Sequence, residues 1–346
     1  MSNTMQDIIA KVGKGERASK DLTYQEATAA MRLLLEKQAT PVQVGAFLLA
    51  MRIKSESVAE LAALATSARG YVKSVAIPES LGVVDIPTYA GKQDGWHALL
   101  PAAIIAAASG AHVLLHGYEG VAGRRSTAAL ASALNIPIDL TPDDVANEVM
   151  EKGFGYLDIA LYHPPVHWFL EMRKELGVRT FFQPVARLLN PARARVSIIG
   201  ISHPPYFEKM PEALRMMGIP RALVLRGLDG EPELSINSAT KAIEIRDDHI
   251  TPLMIHPRDM GMTMGRLDSP APKDLAEEAA LLRKLLTNQL NGTVKDWVTM
   301  NAAAILYIAG KAASLRAAVP LALEAVASGA AKEKLATLSG GRRLGN

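Results

Sequence analysis

The stretch that decides the fold is residues 153–191, GFGYLDIALYHPPVHWFLEMRKELGVRTFFQPVARLLNP. It carries Arg173 and Arg179, whose planar guanidinium groups can pair with a carboxylate or a phosphate through two parallel hydrogen bonds. A straight helix would point these two arginines to different faces, and Gly177 between them is a residue type that often ends a helix. The pair is either an anion-binding element or a bridge between two domains.

On both sides of this stretch, the spacing of apolar residues divides the chain into regions. Residues from Met5 to about Val72 follow a helical period, with Thr23 and Thr40 as helix starts, which predicts helices over 23–37 and 41–52. Short β-rich runs then alternate with helical segments, at 82–86, 112–116, 196–201, 222–226 and 242–245. Such alternation predicts a largely parallel sheet with helices on both faces, the α/β class. Helical spacing returns at 271–288, 293–312 and 317–328, and a polar, glycine-rich tail follows at 339–346.

The composition is that of a globular protein with an ordinary core. The chain has 346 residues and is 49% hydrophobic, enough for two domains or for one domain with a smaller partner. It has no cysteine, which excludes a disulfide framework and a thiolate metal site, and we expect a cytoplasmic location. The N-terminal residues lack the apolar segment of a secretory signal. Residues 98–115 form a long uncharged run, but Pro101, Gly110 and His112 interrupt it, so we expect a buried helix and strand and no membrane span.

Charge is distributed unevenly along the chain, although the net charge is only +3. Residues 171–226 contain ten Lys and Arg against four Glu, a local excess of +6, and residues 227–280 contain eleven acids against five bases, an excess of −6. Such asymmetry can concentrate anions over one face of a protein. The alternative is that solvated surfaces segregate by charge without a function.

The stretch at 153–191 resembles the substrate-arginine segment of the anthranilate phosphoribosyltransferase family, glycosyltransferase family 3, and the resemblance extends from about Asp21 to Leu338. It implies a small all-helical domain, residues 1–72 joined in space by about 165–190, beside a larger and mostly parallel α/β domain at 77–338. It also implies a homodimer formed through the helical domain, where the segment 42–51 is more apolar than one helix stripe needs.

The resemblance implies a substrate pocket, with departures from the family's pattern. The family's substrate arginine falls on Arg173 and its neighbouring arginine on Arg179. His163 stands in the position of a histidine that lines the pocket, or it is satisfied inside a proline-constrained turn. His116 and Gly117 match the end of a strand, but the lysine and the asparagine that flank this pair in the family are replaced here. These changes weaken anthranilate as the expected ligand.

The segment at 88–95, TYAGKQDG, lies where the family has a glycine-rich loop that cradles pyrophosphate, and we call it the donor loop. Its bulky side chains would obstruct a tight cradle of backbone N–H groups. The residues expected to hold phosphate, here by charge more than by backbone geometry, are Gly91, Lys92, Asp94, Gly95, Arg124 and Arg125.

An acidic turn stands where the family carries its magnesium carboxylates. It contains Asp229, Glu231 and Glu233. Mg²⁺ bound together with a pyrophosphate needs one or two carboxylates and several waters, so this turn could hold the ion. The alternative is an exposed acidic turn with no metal.

Two functions are compatible with the sequence, which leaves open whether the chain is an enzyme. The first is a diverged transferase that moves a phosphoribosyl or related glycosyl group from a phosphoribosyl pyrophosphate-like donor to a nitrogen acceptor, without standard anthranilate turnover. The second is a non-catalytic, sequence-nonspecific nucleic-acid binder on the same scaffold, whose affinity would depend steeply on salt.

Overall fold

A computed structural model describes residues 4–15, 18–268 and 270–340 of the chain. Its first region is a bundle of four helices, α1 (Met5–Val12), α2 (Tyr24–Leu35), α3 (Pro41–Lys54) and α4 (Val58–Arg69). Three of them begin at capping boxes, in which the side chain of Thr23, Thr40 or Ser57 and that of the third helical residue satisfy free backbone N–H groups. The predicted helices at 23–37 and 41–52 are thereby confirmed.

The second region is built on one seven-stranded sheet. Its strands are β1 (Val84–Pro87), β2 (Val113–Gly117), β3 (Phe154–Asp158), β4 (Val196–Gly200), β5 (Arg221–Gly227), β6 (Thr240–Arg246) and β7 (His249–Ile255). The order is β3-β2-β1-β4-β5-β6-β7; the pairs among β1 to β5 are parallel, and β6 and β7 are antiparallel additions at one edge. The predicted α/β class is confirmed, whereas β3 and β7 were not expected as strands.

Helices cover both faces of this sheet. They are α5 (Leu99–Ala108), α6 (Thr127–Ala133), α7 (Pro142–Lys152), α8 (Ile159–Tyr162), α9 (Pro164–Glu171), α10 (Arg173–Leu176), α11 (Phe182–Arg187), α12 (Pro204–Met216), α13 (Leu275–Leu286), α14 (Thr293–Ile308), α15 (Leu315–Ala327) and α16 (Ala330–Leu338). Helix α5 is buried almost throughout, as expected for the uncharged run at 98–115. None of the helices in the described residues is long and apolar enough to span a membrane.

The segment around 163–190 packs on the helical bundle. His163 Nε2 donates a hydrogen bond to the carbonyl of Ala68 (3.0 Å), and Arg69 Nε donates to the carbonyl of Leu188 (2.7 Å). The domain boundaries 1–72, 165–190 and 77–338 stay a prediction. A helical domain that joins 1–72 with 165–190 requires contacts of this kind between the two segments. Of the predicted tail, residues 341–346 lie outside the described part of the chain.

The topology places a crevice at the carboxyl ends of β1 and β4. From β1 the chain continues to β2 and β3 on one side of the sheet and then returns to β4 and β5 on the other side. In open α/β sheets, ligands bind at this reversal of strand order. Neighbouring segments approach closely here, since a Cβ atom on Gly117 would lie 2.0 Å from the side-chain Oγ1 of Thr88 and one on Gly200 would lie 1.7 Å from the backbone carbonyl oxygen of Pro232.

Candidate active site

A cleft opens at this reversal point, and four arginines line it. We call it the arginine cleft and define it by Arg124, Arg173, Arg179 and Arg187. The ends of β1 and β2 supply one wall through residues 87–90, Gly117 and Tyr118, and the segment 170–187 supplies the other. A second hollow adjoins it, shares Arg179 and Arg187, and continues to Arg52, His203 and Tyr206.

The positive charge in the arginine cleft is not paired with carboxylates of the described residues. Within the described ranges, Arg52 and the four cleft arginines have no carboxylate within salt-bridge distance. Burial and the neighbouring charges of Arg173, Arg124 and Arg52 lower the pKa of Arg179. Burial, with Arg179 beside it, lowers the pKa of Arg187 to about 10, so both stay charged at neutral pH. The cleft therefore attracts an anion.

Lys92 of the donor loop does not reach into this cleft. Its side chain is 8% exposed, and its Nζ lies 2.6 Å from Glu231 Oε2 and 2.7 Å from Glu233 Oε2. The ammonium also stands 4.9 Å from the centre of the Trp297 ring. Because its charge is already paired with two carboxylates, Lys92 is not free to hold a ligand phosphate, which corrects the expectation for this residue.

Arg125 also turns inward. Its Nε donates to Glu278 Oε2 (2.7 Å), and its Nη2 donates to the carbonyl of Gly95 (2.5 Å). The backbones of Lys92 and Arg125 exchange two hydrogen bonds, of 3.0 and 2.8 Å. The other oxygen of Glu278 is used by His97, whose backbone N–H and Nδ1 both lie within 2.9 Å of Oε1. The loop is thus fixed from inside.

The glycines of the donor loop allow the backbone conformation and the close packing of this closed loop. Gly91 has a φ of 73°, and a Cβ atom there would lie 2.3 Å from the carbonyl oxygen of Arg125. Gly95 has a φ of 87°. Asp94 between them is exposed, and Arg124 donates from Nη1 to the carbonyl of Gly91 (3.2 Å) while its head lines the cleft. Residues 88–90 of the loop line the cleft, whereas Lys92 is held against Arg125, so the loop does not form an open cradle of N–H groups.

The acidic turn is likewise satisfied internally. Glu233 is 2% exposed and accepts hydrogen bonds from the Tyr89 hydroxyl (2.6 Å) and the Leu99 N–H (2.9 Å), besides its contact with Lys92. Asp229 accepts from the backbone N–H of Glu231 (3.2 Å) and from the Ser235 hydroxyl. No cluster of three metal-ligating side chains occurs in the part of the chain described by the structure. The three predicted acids do not fit a magnesium site in this arrangement.

The two predicted histidines are interior residues, which corrects the expectation that His116 lines the cleft and, for His163, agrees with the alternative that its ring is satisfied inside the turn. His116 is fully buried, with Nδ1 2.8 Å from the Tyr162 hydroxyl and Nε2 2.9 Å from Asp85 Oδ1. His163 is also fully buried; its Nδ1 accepts the Val166 N–H at the start of α9, and burial lowers its pKa. Gly117, next to His116, does line the cleft.

Several cleft residues were not singled out from the sequence as site residues. Arg187 lies in the opening stretch and had no motif of its own, and Arg52 belongs to α3, more than a hundred residues from the rest of its hollow in sequence. Gln183 and Ser202 line both hollows. Position in the fold is the signal that could have indicated such a residue. Ser202, for example, follows β4, whose carboxyl end lies at the reversal of strand order.

Comparison with known proteins agrees with this architecture. The description "Glycosyl transferase family, helical bundle domain" matches residues 6–71, and "Glycosyl transferase family, a/b domain" matches residues 94–332. The anthranilate phosphoribosyltransferase of Burkholderia thailandensis is 33% identical over 323 residues, covering 92% of this chain and 93% of that protein. That of Burkholderia mallei is 34% identical over 319 residues, covering 91% and 92%.

Solved structures give the same result. The anthranilate phosphoribosyltransferase of Thermus thermophilus superimposes with a TM-score of 0.87 at 30% identity, over 98% of this chain and 99% of that one. The enzyme of Saccharomyces cerevisiae, in complex with PRPP and Mg, has a TM-score of 0.84 at 19% identity over 98% of both chains, which is a likeness of fold. From its helical bundle, its strand order and these matches along nearly its whole length, the chain belongs to glycosyl transferase family 3.

Proposed function

We propose that this chain binds a phosphate-bearing glycosyl donor in the arginine cleft and transfers the glycosyl group, of the phosphoribosyl type, to a nitrogen acceptor that carries an acid group. The observation that carries the proposal is the convergence of four unpaired arginines at the carboxyl ends of β1 and β4, within the residues that the structure describes. Family membership adds the reaction class. The yeast relative was solved with PRPP and Mg, so phosphoribosyl pyrophosphate is the first donor to test.

In this proposal the residues act by positioning and by charge. Arg173 and Arg179, on the wall formed by 170–187, orient the acid group of the acceptor. Arg124 and Arg187 hold donor phosphates and stabilise the negative charge that develops on the leaving group. No side chain is assigned as a base, because reactants held at the right distance and angle already supply much of such a rate enhancement.

The test is release of pyrophosphate from phosphoribosyl pyrophosphate in the presence of a panel of aromatic and aliphatic amino acids, anthranilate included. Arg173→Lys keeps the charge but loses the planar fork, and we expect kcat/KM to fall by about 100-fold, or roughly 2.7 kcal/mol. Arg215→Gln is the matched control, since Arg215 is exposed on α12 and pairs with Glu212 outside the cleft. Equal losses in both variants, or no turnover with any acceptor, would contradict the proposal.

A second candidate function is binding of nucleic acid, and one specific observation favours it. Glu231 and Glu233 are both paired with the ammonium group of Lys92, whereas Arg52, Arg124 and Arg179 stay exposed across the two adjoining hollows. A phosphate chain could follow these cations, which have no carboxylate within salt-bridge distance among the residues that the structure describes. The donor loop in its closed shape serves this function better than it serves pyrophosphate binding.

Salt dependence tests the second candidate. About four phosphate contacts give a slope of log K against log salt near −3.6 on duplex DNA, so affinity should fall roughly 100-fold between about 50 and 200 mM salt. Arg124→Gln and Arg179→Gln should each flatten the slope by about 0.9 and weaken all sequences alike, and Arg215→Gln should leave it unchanged. Fluorescence anisotropy with a labelled duplex and a labelled single strand measures both slopes, and undetectable binding at low salt eliminates this function.

We also propose a two-fold homodimer through the helical bundle. On α3, three apolar side chains are exposed on one face, namely Val42 (82%), Leu49 (49%) and Ile53 (64%). Their spacing of seven and four residues places them in one stripe, and an exposed stripe of this kind marks a contact surface. Ile53→Glu should shift the protein toward monomer in sedimentation velocity at micromolar concentration. A wild-type protein that is only monomeric would refute the proposal.

A further inference from the structure

The acidic turn and the donor loop together form a closed ion cluster. We propose that the ammonium group of Lys92 takes the place of a divalent cation between Glu231 and Glu233, so that this chain binds its anionic ligand without magnesium. The inference goes beyond the proposed function and does not depend on it, because it concerns what occupies the acidic pair and not what is transferred.

Distances and burial carry the first step. The Lys92 Nζ lies within 2.7 Å of one oxygen of each carboxylate and so places a positive charge between them. The Lys92 and Glu233 side chains are 8% and 2% exposed, and Glu231 is 38% exposed. Mg²⁺ usually keeps several of its waters, so it needs both the carboxylates and open space around them. The lysine head occupies the space between the two oxygens.

The surroundings of the ammonium favour a fixed cation there. Nζ stands 4.9 Å from the ring centre of Trp297 and 5.6 Å from that of Tyr89, distances at which an aromatic face attracts a cation. Burial disfavours the charged form, but the carboxylates of Glu233 and Glu231 outweigh it, so the pKa of Lys92 is raised. The group therefore stays charged at neutral pH.

The far side of the loop holds Lys92 in place. Its backbone N–H points to His97 Nε2 (3.2 Å), and its carbonyl accepts from the Arg125 N–H (2.8 Å). Both of those residues are bound by the buried carboxylate of Glu278. Displacing the lysine head by a metal would leave a desolvated ammonium without a partner, which is costly. The cluster is thus a permanent substitute for a metal and not a gate.

The inference is tested by binding of Mn²⁺, used as a spectroscopic probe for magnesium sites, to the purified full chain. Electron paramagnetic resonance counts the free ion against wild type, Lys92→Ala and Lys92→Ala/Glu231→Gln. Wild type should bind no stoichiometric Mn²⁺. Lys92→Ala, which exposes two carboxylates to a cation, should gain one site, and the double variant should bind at least about tenfold more weakly because it offers one charge fewer. Lys209→Ala is the matched control, since Lys209 contacts Ser55 and the Glu56 carbonyl and no carboxylate of the cluster.

Folding of each variant is checked by circular dichroism, and Lys92→Met, which keeps the apolar stem, replaces Lys92→Ala if the latter does not fold. A folded lysine variant that gains no site overturns the inference. So does a wild-type protein that binds one Mn²⁺ and loses it in Glu231→Gln. Absence of transferase activity has no bearing on either readout, so failure of the proposed function and failure of this inference are distinguishable.

Discussion

From the buried ion pair between Lys92 and Glu233 we predict how much a substitution of Lys92 lowers the free energy of unfolding. Lys92→Met removes the charge and keeps most of the apolar stem, and it leaves Glu233 buried at 2% exposure with the Tyr89 hydroxyl and the Leu99 N–H as its remaining partners among the described residues. Breaking one side of a buried ion pair typically costs about 3–5 kcal/mol. Because two hydrogen bonds to Glu233 remain, we expect a loss near the lower limit, about 3 kcal/mol, which lowers the equilibrium constant for folding roughly 150-fold.

Urea unfolding, followed by circular dichroism and by tryptophan fluorescence, measures this loss. Trp297 lies 4.9 Å from the Lys92 ammonium and reports on the same region of the molecule. The double variant Lys92→Met/Glu233→Gln removes the stranded charge, so it should regain at least about 1.5 kcal/mol relative to Lys92→Met. A loss below about 1 kcal/mol in Lys92→Met, or a double variant no more stable than the single one, would refute the claim that the two groups form a buried pair.

Three further predictions concern single residues away from this pair. Burial raises the pKa of Glu119 from 4.5 to about 6, so the folded state binds this proton more tightly than the unfolded state does. The stability that this proton contributes is present below about pH 4.5 and is lost as the pH rises through 6. Calorimetry should therefore show a smaller difference in unfolding temperature between pH 5 and pH 7 for Glu119→Gln than for wild type. Gly200→Ala should cost roughly 1–3 kcal/mol in urea unfolding, because its Cβ would lie 1.7 Å from the Pro232 carbonyl oxygen, whereas Gly265→Ala, with nothing within 4 Å, should stay near wild type. His163→Ala should cost about 1–3 kcal/mol in the same assay, since it leaves the Val166 N–H at the start of α9 without its acceptor and removes one hydrogen bond to the Ala68 carbonyl, and a neutral result would remove the structural role assigned to the ring.

The fold was largely predictable because apolar spacing reports it directly. Five strands and the long helices were expected from their periods and are present. Strand β3 was missed because its sequence FGYLD contains glycine, which strands generally disfavour. Gly155 is required there by packing, since a Cβ atom would lie 2.7 Å from Val149. Strand β7 is an edge strand that carries Pro252 and follows the turn at Asp247, and its exposed residues give no clear alternation.

The candidate site was less predictable, because a motif gives the charge of a side chain and not its direction. Arg124, Arg173 and Arg179 line the cleft, and their role in binding stays a prediction. Lys92 carries the charge that the sequence suggested, but its partner Glu233 lies 141 residues away, and the partner of Arg125 lies 153 residues away. Only tertiary packing brings such groups together. The direction in which a donor-loop cation points is therefore decided by acids that no local pattern connects to it.

The segregation of charge along the sequence acquires a physical meaning from these contacts. The acids of 227–280 that approach the site, Glu231, Glu233 and Glu278, form their ion pairs with Lys92 and Arg125, which lie outside the basic segment 171–226. The arginines of that basic segment which line the cleft consequently receive no compensating carboxylate, within the residues that the structure describes. The neighbouring charges of Arg52, Arg124, Arg173 and Arg179 repel, so the folded chain bears a cost that an anion in the cleft relieves. Added phosphate or pyrophosphate should therefore raise the thermal unfolding temperature in the absence of any metal, and an unfolding temperature indifferent to both anions would contradict the unbalanced cleft.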